Sequence, residues 1–230
     1  MRLKSKLVIT SLFLIFFNTP NFAQASTQIA NFIDWNGFSI GQDNVGLSQS
    51  ITPLAIPKPS EGNVDWTLNL GNSDGRISPN FRLSSLGTAN FGLFDAPSDT
   101  RFSNNQNGTN CNLTSPNVFG NYSRFSANCS TSINIIKGET YTFNLRSKVS
   151  GLSVTLDAEV AVKSSGLNIN LGTITFSTTQ EILRNSILVS GFNQTSLYTN
   201  DATCQNAPKA DVIYSAPTSL LNGATPNLSG

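Results

Sequence analysis

The chain has 230 residues, of which 14 are Lys or Arg, 13 are Asp or Glu and none is His, for a formal net charge of +1. A balance this close to zero, with no cluster of basic residues, excludes nucleic acid and an anionic membrane surface as partners. The missing histidine excludes Ser-His-Asp and Cys-His nucleophile activation, histidine general bases and histidine-bearing zinc sites.

The first element is a leader. Arg2, Lys4 and Lys6 precede an almost wholly apolar run from Leu7 to Phe17, and Ala23-Gln24-Ala25 offers small residues at the −3 and −1 positions. This predicts a secretory signal peptide over residues 1–25, cleaved after Ala25. The apolar run is too short for a spanning helix, which needs about 20 residues, so no membrane span is expected after its removal. The expected location is secreted or periplasmic. Removing the leader leaves 11 basic against 13 acidic residues, a net charge of −2. Only 12% of residues are charged while Asn, Ser and Thr abound, so the surface is expected to carry uncharged hydrogen-bonding groups.

Next comes an apolar-rich stretch from Ile29 to Trp35, closed by Asn36-Gly37. Val45 to Ser60 reads as a loop, because Pro53, Pro57 and Pro59 forbid a central strand. Val64 to Leu70 alternates apolar and polar residues, the pattern of a half-buried strand. Asp74-Gly75 supports a turn; Ile77 to Leu86 and Phe91 to Phe94 follow as extended segments of a meander. Ala96 to Pro116, rich in Asn, Ser and Thr, reads as a long surface loop, and such loops are often functional.

Val118 to Ala127, Ile133 to Ile136 and Thr140 to Arg146 read as strands, and Val154 to Val162 places Val154, Leu156, Ala158, Val160 and Val162 on one face. Leu167 to Phe176, Ile187 to Val189 and Val212 to Tyr214 complete the set, with one short helical turn over 178–185. The expected fold is all-β, an antiparallel two-sheet β-sandwich of jelly-roll or concanavalin-like type with little helix. One domain is expected over 26–217, with a loose tail over 218–230.

Three cysteines remain for an oxidising compartment: Cys111, Cys129 and Cys204. Cys111 and Cys129 close the shortest loop and are the expected disulfide, which leaves Cys204 unpaired, buried or available to another molecule.

Val64-Asp65-Trp66, Phe91-Gly92-Leu93-Phe94-Asp95, the loop with Cys111 and Cys129, Ile136-Lys137-Gly138-Glu139-Thr140-Tyr141-Thr142-Phe143, Leu171-Gly172-Thr173-Ile174 and the close at Thr203-Cys204, Pro208, Val212 and Pro217 follow one another in a distinctive order. In that order the chain resembles, over about residues 62–217, uncharacterised secreted bacterial proteins with a lectin-like, concanavalin-type β-sandwich domain. The resemblance implies a sandwich and glycan binding, and supplies no catalytic residues.

Candidate chemistry is sparse. Asp157 and Glu159, two apart on a strand, share a face, and a retaining glycosidase needs two carboxyls about 5–5.5 Å apart; two solvated acids on a strand face are the plainer reading. Sugar rings stack on aromatics, and Trp35, Trp66, Tyr122 and Tyr198 are candidates, with Trp66 in phase with Leu68 and Leu70 and therefore expected in the core. Asp95 and Asp99 are candidate ligand-binding residues and candidate calcium ligands, as are Asn72 and Asp74; turn formation is the plainer role for them. No other cofactor is expected. The expected function is a non-catalytic binding module for a glycan of a cell surface or matrix. The alternatives are a surface structural or adhesive subunit, served by Cys204 and an open strand edge, and a glycoside hydrolase using Asp157 and Glu159.

Overall fold

A computed structural model describes residues 27–36, 44–70, 78–103, 108–119, 122–178, 190–199 and 209–220. The expected leader, Asn72 and Asp74, most of the expected helical turn, the strand expected at 187–189, and Cys204 lie outside the described residues.

Among the described residues, fourteen strands form two antiparallel sheets. In the first, β1 (Thr27–Asn36), β12 (Ser190–Thr199), β3 (Asn63–Asn69), β4 (Ser78–Ser84), β5 (Thr88–Ala96), β8 (Tyr122–Ser132) and β7 (Asn110–Phe119) lie side by side in that order. In the second, the order is β13 (Val212–Tyr214), β2 (Asn44–Pro53), β9 (Tyr141–Ser150), β10 (Ser153–Val162), β11 (Leu167–Ser177) and β6 (Arg101–Ser103), and β14 (Thr218–Ser219) also pairs with β2. The sandwich is therefore as the alternating segments require, and no helix occurs among the described residues.

One core holds the sheets together. Alternation drives it: on β10, Val154, Leu156, Ala158, Val160 and Val162 are all buried while the residues between them are not. Opposite lie Val64, Trp66 and Leu68 of β3, Phe81 and Leu83 of β4, and Phe91 and Leu93 of β5. Phe81 meets Phe143 of β9 across the interlayer at 4.9 Å and Phe91 of its own sheet at 5.4 Å. Each such fully buried side chain stabilises the fold by about 1.5–3 kcal/mol. Trp66 is fully buried, as its phase with Leu68 and Leu70 requires.

Polar contacts fix how the layers align. Gln49 of β2 donates to Asn193 Oδ1 of β12 (3.0 Å), a buried bond between sheets. Tyr214 of β13 donates its hydroxyl to the Gln194 carbonyl (2.7 Å), and burial pushes that phenol's pKa well above its ordinary value. Tyr141 anchors the crossing from β8 to β9: its hydroxyl donates to the Asn134 carbonyl (2.8 Å) and accepts from the Ile136 N–H (2.7 Å). Residues 133–136 are consequently a crossover between layers, and not the strand expected there.

Three other expectations change. Residues 44–53 form β2, in the interior of the second sheet, where Leu47 and Ile51 point into the core; Pro53 stands at its last position and Pro57 and Pro59 lie beyond. Within 96–116 the structure places β6 and the start of β7 instead of a loop; β7 is an edge, so Pro116 sits at a bulge without costing an interior ladder bond. The C-terminal segment is held further than expected: Thr218 and Ser219 pair with β2, and Leu220 lies over Gly46.

Candidate functional site

The alternation that buries Trp66 and Phe81 turns the intervening residues of β3, β4 and β5 outward. These are Asp65, Thr67 and Asn69; Asn80 and Arg82; and Asn90, Gly92 and Phe94. Together with Ser126 and Asn128 of β8 and Phe192, Gln194, Ser196 and Tyr198 of β12, they line a groove of about 460 Å³ on the outer face of the first sheet.

Strand register arranges these side chains in rows. Phe192, Asn69, Asn80, Gly92 and Asn128 are successive partners across five strands. Gln194, Thr67, Arg82 and Asn90 form the adjoining row, and Ser196 and Asp65 the next. Gly92 makes room for a neighbour: a Cβ there would lie 3.0 Å from both the Oδ1 and the Nδ2 of Asn80, so the amide of Asn80 rests over the glycine. Phe94 stands at one end of the groove, half exposed, and Tyr198 at the other.

Among the described residues of the groove, charge is confined to one pair. Arg82 Nη1 lies 3.5 Å from Asp65 Oδ2, with the arginine side chain 46% exposed and the aspartate side chain 9%. Asp65 Oδ1 is buried without a hydrogen-bond partner in the protein. An anionic oxygen in that position is a strong acceptor, and burial without a donor is costly. Amide side chains carry both donors and acceptors, which vicinal hydroxyls match, and the aromatic rings offer faces to apolar C–H surfaces.

The residues singled out from sequence are dispersed. Asp157 and Glu159 do share a face, but it is the outer face of the second sheet, away from the groove. Asp157 accepts from Thr173 Oγ1 (2.5 Å); Glu159 accepts from Asn144 Nδ2 (3.1 Å) and pairs with Arg146 (3.3 Å). Asp95 occupies a bulge of β5 with φ +55°, and Asp99 accepts from the N–H of Ser177 on β11 at 3.1 Å. Among the described residues no three acidic or thiol side chains gather as a metal site would require. Trp35 lies on edge strand β1 opposite Gly191, and Tyr122 opens β8 opposite Phe119. Cys111 and Cys129 are directly paired on β7 and β8 and form a disulfide. Among the described side chains, Tyr198 is the candidate aromatic that lines the groove. The polar positions of β3 to β5 were visible as the outer half of an alternating pattern; their preference for Asn and Asp over Lys and Glu was the available signal.

No protein-family model matches the chain, and no curated protein matches it. Solved structures similar to it include an endo-1,3-β-glucanase from Streptomyces sioyaensis (12% identity, 84% of this chain and 69% of that chain, TM-score 0.42). Lectin II from Ulex europaeus is similar over 86% of this chain and 84% of its own (12% identity, TM-score 0.36). A PL-14 alginate lyase from Aplysia kurodai is similar over 77% and 84% (7% identity, TM-score 0.33). Likenesses at this level assign no activity.

Proposed function

We propose that the groove on the first sheet is a non-catalytic binding site for an extended glycan. The observation that carries this reading is the two outward rows of amides, Asn69, Asn80 and Asn128 beside Gln194 and Asn90, set around the Asp65–Arg82 pair. Sugar hydroxyls both donate and accept, and so match these amide rows. Phe94 and Tyr198, at opposite ends, would stack on the apolar faces of separate sugar rings. In this reading the leader carries the protein out of the cytoplasm, where the glycan of a cell surface or matrix is met.

Binding rather than hydrolysis is favoured because two-carboxylate glycoside hydrolysis needs a second acid near the first. Asp65 is the one carboxylate among the described residues lining the groove, and Asp157 and Glu159 belong to the other sheet. The test is calorimetry of the mature protein against neutral oligosaccharides of two to six units, with and without calcium. Affinity should rise with length, and Phe94→Ala and Tyr198→Ala should each weaken binding roughly tenfold, as loss of a stacking ring does, with the melting temperature little changed. Absence of binding to every oligosaccharide overturns the reading.

A further inference from the structure

We infer that Asp65 sets the groove's choice between uncharged and acidic sugars by occupying Arg82; this rests on the glycan-binding reading above. Arg82 is the one cation among the described residues of the groove, and its guanidinium is the natural receptor for a uronate carboxylate, which it would grip through two parallel N–H bonds. Asp65 stands in that place already, 3.5 Å away on the neighbouring strand. The two charges cancel, so the groove presents no net field to an anion.

The geometry makes this more than neutralisation. Asp65 is far more buried than Arg82, so the fixed member of the pair is the carboxylate and the guanidinium is the one drawn to it. A uronate brought to Arg82 would sit against the Asp65 carboxylate, and two anions at one guanidinium repel. One side chain thus rejects acids and leaves the amide rows to uncharged sugars.

Asp65→Asn keeps the shape, removes the negative charge and releases Arg82. The probes are cellohexaose, laminarihexaose and hexagalacturonate, titrated into wild type, Asp65→Asn and Asp65→Asn/Arg82→Gln. Wild type is expected to bind a neutral hexasaccharide and reject hexagalacturonate. Asp65→Asn should gain at least roughly tenfold for hexagalacturonate, with the gain weakening in salt, and the double variant should lose that gain. Where Asp65→Asn does not fold, Asp65→Ser carries the same expectation. Wild-type binding of hexagalacturonate as tight as that of the neutral sugars overturns the inference. So does a folded Asp65→Asn that gains nothing; in both cases the glycan reading stands. If neither wild type nor any variant binds a hexasaccharide, both fall.

Discussion

Gly172 of β11 faces Cys129 of β8 across the interlayer so closely that a Cβ at position 172 would lie 3.0 Å from the Cys129 Sγ and 3.2 Å from the Cys111 Sγ. The disulfide thus occupies the space that a side chain on β11 would fill. The backbone there has φ +110°, at a bulge in which Ala158 pairs with Gly172 and Glu159 with Asn170. Two independent reasons therefore require glycine: steric contact with sulfur and a left-handed backbone.

They can be separated. Gly172→Ala should destabilise by about 1–3 kcal/mol, combining overpacking with backbone strain. Replacing both Cys111 and Cys129 by Ala removes the sulfurs and should itself cost about 3 kcal/mol, the loop-closure value for a cross-link of this span. In that background the penalty of Gly172→Ala should shrink to its backbone part. Denaturant midpoints of the four proteins in a double-mutant cycle measure the coupling; an unchanged penalty would show that the sulfur contact contributes nothing.

The groove has its own glycine. Gly92→Ala places a methyl where the Asn80 amide rests, so Asn80 must swing away from the row it shares with Asn69 and Asn128. Asn80 is the end of a short side chain, so the loss of stability should stay near or below about 1 kcal/mol. Oligosaccharide affinity should fall more, roughly tenfold, through a lost or displaced hydrogen-bonding group. Parallel calorimetry and thermal melting would distinguish the two, and equal binding by the variant would remove Asn80 from the site.

Glu139 makes stability depend on acid. Hydrogen bonding, chiefly from the Ser164 side chain, holds its carboxyl below the ordinary value of 4.5 against an opposing effect of burial. The N–H groups of Thr140 (2.9 Å) and Ser164 (3.1 Å) and the charge of Lys163 act in the same direction as the Ser164 side chain. A folded-state pKa below the unfolded one means that the contribution is complete above pH 4.5 and disappears as pH falls through the lowered value. Glu139→Gln should melt earlier at neutral pH and show a shallower decline in melting temperature below pH 4.5. Parallel curves for the two proteins through the acid range would exclude Glu139 as a source of the pH dependence.

Much of the fold was legible. Val154 to Val162 and Tyr141 to Leu145 alternate so regularly that face and burial follow from period alone, and both were buried as read. Failures occurred where composition concealed a strand. Prolines near β2 lie at its end and beyond, and the Asn-rich β7 needs only one apolar face, supplied by Cys111 and Leu113 against the core. Of the groove, the sequence marks Tyr198 as a sugar-stacking aromatic, whereas Asp65 carries no mark of a site.

Alternation along the chain therefore determined which residues turn inward, hence the sandwich, the buried Trp66 and the shared face of Asp157 and Glu159, because a pleated strand sends successive side chains to opposite sides. Only the tertiary structure decided which outward residues become neighbours. Asp65, Asn128 and Gln194 are far apart in sequence and meet through the pairing of β12, β3, β4, β5 and β8. That pairing is selected by the burial of the opposite face, a nonlocal free energy that no local pattern contains.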